Sequence, residues 1–335
     1  MDKKKTLITA IALALGVLIL ILLLLLDGRG DGAPQSRSYF DLFDTVSTIY
    51  DYSQDRDFDK VADEVGKMML NYHELYDVWE KHDGKTTLYT LNLAGGEWVS
   101  LDEKIIELLE WGIEIHSLTS GEVNIAMGSV TTLWKSALAD GRVPTDAELS
   151  DAAIHTDIRK LEIDKAGSRA RLTDPDMRLD VGAVAKGFVE EKIAEWLISE
   201  GKSGYAIDMG GNLRAVGKKP SGEGFTTGIR NPNTAVGGFI ETFILSDEAS
   251  ATSGGYERYY EISGVRYHHI IDKDTLRPAD RYLSASIVTD SAATADALST
   301  AVFCMTEEEI SSLIDRCDEE IRIIIVDKDG NILRF

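Results

Sequence analysis

Asp296, Ser299 and Thr300 lie three and four residues apart in the run Ala293-Thr294-Ala295-Asp296-Ala297-Leu298-Ser299-Thr300-Ala301-Val302-Phe303. The small and apolar residues around them predict a buried helix. On a helix, positions i, i+3 and i+4 share one face, so a carboxylate and two hydroxyls point the same way. That is a hard-oxygen set of the kind that suits Mg²⁺. A polar face on a core helix has the same spacing. The rest of the chain weighs for the ligand reading.

Five other segments are rich in glycine or in groups able to do chemistry. Leu179-Asp180-Val181-Gly182-Ala183-Val184-Ala185-Lys186-Gly187 leads into a helical pattern. Small residues let a ligand approach the backbone, amides at a helix start favour phosphate, and Lys186 adds a mobile positive charge. Asp208-Met209-Gly210-Gly211-Asn212 follows a short apolar strand, and its paired glycines permit positive φ or contact with a flat ligand. Both segments also read as plain turns. Ala251-Thr252-Ser253-Gly254-Gly255-Tyr256 precedes Arg266-Tyr267-His268-His269-Ile270-Ile271-Asp272, where a histidine near a carboxylate is a candidate general base or a structural hydrogen bond. Gly121 to Gly128, ahead of Leu133-Trp134, suits a ligand-lining loop or a simple connection.

Positioning these segments requires a large mixed fold. Val61, Val65, Met68, Met69, Tyr72 and Leu75 recur at helical spacing within 58–79, and Ile105, Leu108, Leu109 and Ile113 within 101–117. A helix over 187–200 is expected to bury Val189, Ile193, Leu197 and Ile198, with Gly201 closing it. Strands are expected over 44–52, 160–164, 168–172, 205–208, 226–230 and 238–245. Asp329-Gly330 marks a hairpin between 322–326 and 331–335. Asp327-x-Asp329-Gly330 is too short for a calcium loop. Strands and helices mix without βαβ alternation, so the class is α+β.

The 335 residues carry 35 Lys and Arg against 57 Asp and Glu, a net charge of −22. The charge is spread along the chain and leaves no basic footprint for nucleic acid. Lys3-Lys4-Lys5 precedes Thr6 to Leu26, an uncharged run long enough to span a bilayer. The lysines place the remainder outside the cytoplasmic membrane. Residues 1–26 are therefore expected to be a membrane anchor, with a cleaved signal peptide as the alternative. Residues 27–38 read as a flexible tether, in which Arg29-Gly30-Asp31 needs no adhesion role, and 39–335 as one large domain. Cys304 and Cys317 are not spaced for zinc, and their pairing stays open.

Taken in order, LDVGAVAKG, DMGGN, ATSGGYERYY, HHIID with Pro278, and ADALSTA resemble the FAD:protein FMN transferases, the ApbE-like flavin transferases. Gly121 to Trp134 and Asp44-Thr45 fit the same pattern. The resemblance covers residues 40–335 and implies a single ApbE-like (T-fold-like) domain of mixed and antiparallel sheets with packed helices. It implies Mg²⁺ held by Asp296, Thr300, the adjacent Ser299 and the carbonyl of Ala183. It implies FAD contacts at Asp180, Lys186 and Ile271 (or Ile270), with Asn124, Ile125 and Ala126 lining the pocket, and His269 as the base. The sequence departs from the family pattern at Ile125-Ala126-Met127 and at Asp272-Lys273-Asp274-Thr275-Leu276. The implied reaction moves FMN from FAD to a threonine of an exported or membrane flavoprotein and releases AMP. An FAD pyrophosphatase giving FMN and AMP is the alternative, followed by a flavin-binding surface protein without catalysis.

Overall fold

The computed structural model describes residues 33–232, 237–256 and 258–335. The expected anchor, residues 1–26, lies outside them. Among the described residues no helix is long and apolar enough to cross a membrane. The first strand, Gln35–Leu42, begins inside the stretch read as a tether. Among the described residues, regular structure thus begins before position 39.

The frame is an eight-stranded sheet. Its strands are Gln35–Leu42, Thr45–Asp51, Tyr205–Met209, Asn212–Val216, Ala249–Gly254, Tyr282–Thr289, Arg322–Asp327 and Ile332–Arg334, and they lie side by side in that order. Every neighbouring pair is antiparallel. Spatial order therefore follows chain order, and the helices and smaller sheets are insertions between successive strands. Successive residues face opposite sides of a strand. Tyr205, Ile207 and Met209 accordingly join the main core, while Ala206 joins a second cluster with Ala215, Phe225, Leu245 and Val288. The hairpin of Phe225–Arg230 and Phe239–Leu245 supplies that second cluster.

Helices cover the other face. Phe58–Tyr76 buries Val61, Val65, Met69, Tyr72 and Leu75 as its spacing predicts. Glu103–Leu118, Ala185–Ser199 and Ala292–Cys304 add to the same core. Two expected core positions are corrected. Ile198 is 50% exposed and Ile113 is 37% exposed. Ile198 follows Val189 by nine residues, which is about half a turn round the helix at ~100° per residue, so it faces away. Ile113 falls at the edge of the buried stripe. Cys304 is buried, Cys317 is half-buried, and both thiols are free.

Candidate active site

The Ala292–Cys304 helix has 13 residues, and all but Thr300 are buried. Ser291 caps its start by accepting from the Thr294 amide. The helix can lie deep because it is built from small residues. Across from it, a side chain at Gly187 would collide with the Ala292 carbonyl and the Asp296 Cβ. Glycine there brings the start of the Ala185–Ser199 helix onto Asp296.

Asp296 is 4% exposed. Its Oδ1 accepts from Lys186 Nζ at 2.9 Å and from Asn212 Nδ2 at 2.9 Å. Its Oδ2 accepts from the Gly187 amide at 2.8 Å. Gly187 is the third residue of its helix, where the first amides have no partner within the helix itself. The Asp296 carboxylate supplies that partner from the Ala292–Cys304 helix.

The two hydroxyls differ. Ser299 is buried, donates to the Asp296 carbonyl at 2.9 Å and meets Ser253 Oγ at 2.8 Å. Its bonding is spent inside the protein. Thr300 is held only at 3.3 Å by Ser253 and at 3.4 Å by the Asp296 carbonyl. Such long bonds leave its oxygen able to turn toward a ligand. Asp296 and Thr300 offer carboxylate and hydroxyl oxygens on one helix face, and with a carbonyl from the turn at Ala183 they would make a donor set that fits Mg²⁺. Lys186 already places a positive charge on it. A separate group, His155, Asp174 and Asp176, also has ligand atoms within 4.8 Å of one another, but its Asp174 is taken by His155 and Lys160.

The turn carrying Asp180 and Ala183 is pinned from behind. Asn92 donates to the Leu179 carbonyl at 3.0 Å and accepts from the Leu179 amide at 2.7 Å. The Asp180 amide donates to the Ile125 carbonyl, and the Gly128 amide to the Arg178 carbonyl. A side chain at Gly128 would strike residues 178 and 179. Asp180 itself is half-buried, accepting from Thr131 Oγ1 at 2.7 Å and from the Gly182 amide at 2.9 Å. The side chains of Ile125 and Ala126 are buried in the core. Asn124 holds the Thr156 carbonyl and the Ala126 amide. These three residues shape the site from behind.

The two histidines have separate roles. His268 accepts from the Ile270 amide at Nδ1 and donates from Nε2 to the Ala279 carbonyl at 2.7 Å. Its ring meets Phe303 edge-on. Both nitrogens are used, so this histidine is structural. His269 is exposed, and its Nδ1 reaches the Arg258 carbonyl at 3.4 Å. A carbonyl only accepts, so that bond puts the proton on Nδ1 and leaves the Nε2 lone pair open. Crowding by protein removes hydration from the ring, and with the charges of Arg258 and Lys186 it brings the pKa to about 4. Lys186 bonds Asp296, and its charge is the smallest of the influences that lower the His269 pKa. Asp272 is not a partner of His269, because its carboxylate caps the Asp274 and Thr275 amides in the following turn. Ile271 is half-buried against a side cluster with Trp134, Tyr267 and Leu276.

Sequence reading named the DMGGN and ATSGG segments without singling out Asn212 or Ser253. Both bond the Asp296–Thr300 face. Glu190 was also missed. It is fully buried with neither carboxyl oxygen hydrogen-bonded, and burial, with Asp208 and Asp296 near, raises its pKa well above the usual carboxylate range.

The model of the ApbE family matches residues 43–325. The FAD:protein FMN transferase of Vibrio cholerae serotype O1 is 28% identical over 278 residues, spanning 82% of this chain and 80% of that protein. The FAD:protein FMN transferase of Klebsiella pneumoniae is 25% identical over 284 residues, spanning 84% and 86%. Among solved structures, the ApbE protein of Thermotoga maritima superposes with a TM-score of 0.80 at 27% identity, covering 90% of this chain and 96% of that one. The pinned turn and the Asp296–Thr300 face fall within the matched region, and the chain belongs to the ApbE family.

Proposed function

We propose that this protein transfers FMN from FAD to a threonine hydroxyl of an acceptor protein, with release of AMP. The observation that carries the reading is the buried Asp296 carboxylate, which shares a helix face with Thr300 and is held by Lys186 and the Gly187 amide of the turn that carries Ala183. The named activity of the relatives supports it.

The residues divide the work. Asp296, Thr300 and the Ala183 carbonyl would hold Mg²⁺, with Ser299 and Ser253 fixing the Thr300 hydroxyl. Bound there, Mg²⁺ would neutralise pyrophosphate charge and make AMP a better leaving group. Lys186 and the start of the Ala185–Ser199 helix supply positive potential for the phosphates. The acceptor threonine attacks the FMN-side phosphorus, forming the new phosphoester as the bond to AMP breaks. His269, neutral at physiological pH, takes the hydroxyl proton on Nε2. Residues 1–26 would anchor the chain, 27–38 would tether it, and the domain would act outside the cytoplasmic membrane on exported or membrane flavoproteins.

The test is incubation of the purified protein with FAD, Mg²⁺ and an exported flavoprotein, followed by denaturing electrophoresis. Flavin fluorescence that stays with the denatured acceptor is expected. Fluorescence found only as free FMN would favour the pyrophosphatase reading.

A further inference from the structure

We propose that Lys186 is the built-in counter-ion of Asp296 and gives way when a divalent cation binds, so that the same ammonium is delivered to the pyrophosphate only after the metal is in place. The proposal rests on the Mg²⁺-binding reading above and deepens it.

The geometry poses the problem. Asp296 is 4% exposed, and a carboxylate that deep needs compensation. Asn212 and the Gly187 amide are neutral donors. Lys186 Nζ, at 2.9 Å from Oδ1, is the cation bonded to it. A divalent cation on this carboxylate would stand next to the Lys186 ammonium, and two positive centres sharing one carboxylate repel strongly in a poorly hydrated place. One must leave.

The two partners are unequally fixed. Asp296 is locked on a buried helix by backbone and side-chain donors. Lys186 sits in the first turn of the Ala185–Ser199 helix with its side chain 25% exposed, on a flexible four-carbon stem. It is the group free to move. Its partly exposed end gives it a way out to solvent at the mouth of the site. A lysine displaced that way meets the anionic substrate instead of the carboxylate. Metal and FAD then bind cooperatively, each raising the affinity of the other, and part of that coupling belongs to the lysine.

Two measurements made without FAD or acceptor test this. The first is calorimetric titration of Mg²⁺ into wild type, Lys186→Met and Asp296→Asn. Lys186→Met removes the competitor and is expected to bind Mg²⁺ at least about tenfold more tightly than wild type, while Asp296→Asn loses binding. Equal or weaker binding by Lys186→Met overturns the proposal. The second uses wild type alone, so it does not depend on how the variant folds. Lys186 acetylation by a soluble anhydride is followed by peptide mass spectrometry with and without Mg²⁺. Release from Asp296 predicts faster labelling with Mg²⁺, by severalfold relative to surface lysines such as Lys60. Unchanged labelling contradicts it. If wild type binds no Mg²⁺, the metal reading falls and this proposal with it. If Mg²⁺ binds and frees Lys186 but no acceptor is flavinylated, only the transfer reading fails.

Discussion

The Gly187 amide donates to Asp296 Oδ2 at 2.8 Å across 109 residues of chain. With the Lys186 ion pair beside it, that bond ties the glycine-rich turn to the Ala292–Cys304 helix. The close approach it needs excludes a side chain at position 187. Gly187→Ala should therefore cost about 1–3 kcal/mol through overpacking, read as a lower melting temperature. It should also weaken Mg²⁺ binding, because Asp296 must shift. A variant with wild-type stability and metal affinity would show that the two helices separate freely.

Asp296→Asn should leave the fold standing, since the tip of Lys186 reaches solvent and can re-hydrate. Transfer should fall by at least about 10²–10³-fold, the scale for losing a group that organises transition-state charge. Full transfer at low Mg²⁺ by a well-folded variant would remove Asp296 from the mechanism.

The histidine pair offers an internal control. His269→Ala should keep its melting temperature and its FAD affinity, while transferring about 10²–10⁴-fold more slowly. His268→Ala gives up two hydrogen bonds and the edge of Phe303. It should lose stability by about 1–3 kcal/mol with a smaller effect on single-turnover transfer. The reverse pattern would assign the base to His268.

The pH dependence has a definite sign. His269 titrates well below its ordinary value of 6.5, at about 4. A base must be neutral to accept a proton, so lowering pH through 6.5 should not switch it off in the free enzyme. The His269-dependent part of kcat/KM should stay level into the weakly acidic range and fall only as pH approaches the lowered pKa. An inflection near 6.5 that vanishes in His269→Ala would mean that solvent reaching the exposed ring restores its ordinary titration.

Much of this was legible in the sequence because the decisive signals are local. Periodicity marked the Phe58–Tyr76 helix, and i, i+3, i+4 spacing placed Asp296, Ser299 and Thr300 on one face. Asn212 and Ser253 were not legible. They sit 84 and 46 residues from the side chains they bond, and only sheet order brings them there. The strand Tyr282–Thr289 escaped because both its faces are buried, which erases the alternation that marks a half-exposed strand. The Tyr259–Ile262 and Val265–His268 hairpin escaped for a different reason: its turn, at Ser263 and Gly264, lies between two segments read only for their chemistry. Glu190 looked like one more surface acid, and only packing shows it buried.

The most direct test of the central claim is site-localised mass spectrometry of an acceptor flavoprotein after incubation with this protein, FAD and Mg²⁺, with AMP measured in the same reaction. Group transfer predicts one FMN joined through phosphate to a threonine for each AMP released, and neither product with Asp296→Asn. AMP and free FMN in equal amounts, with every acceptor threonine unmodified, would contradict it.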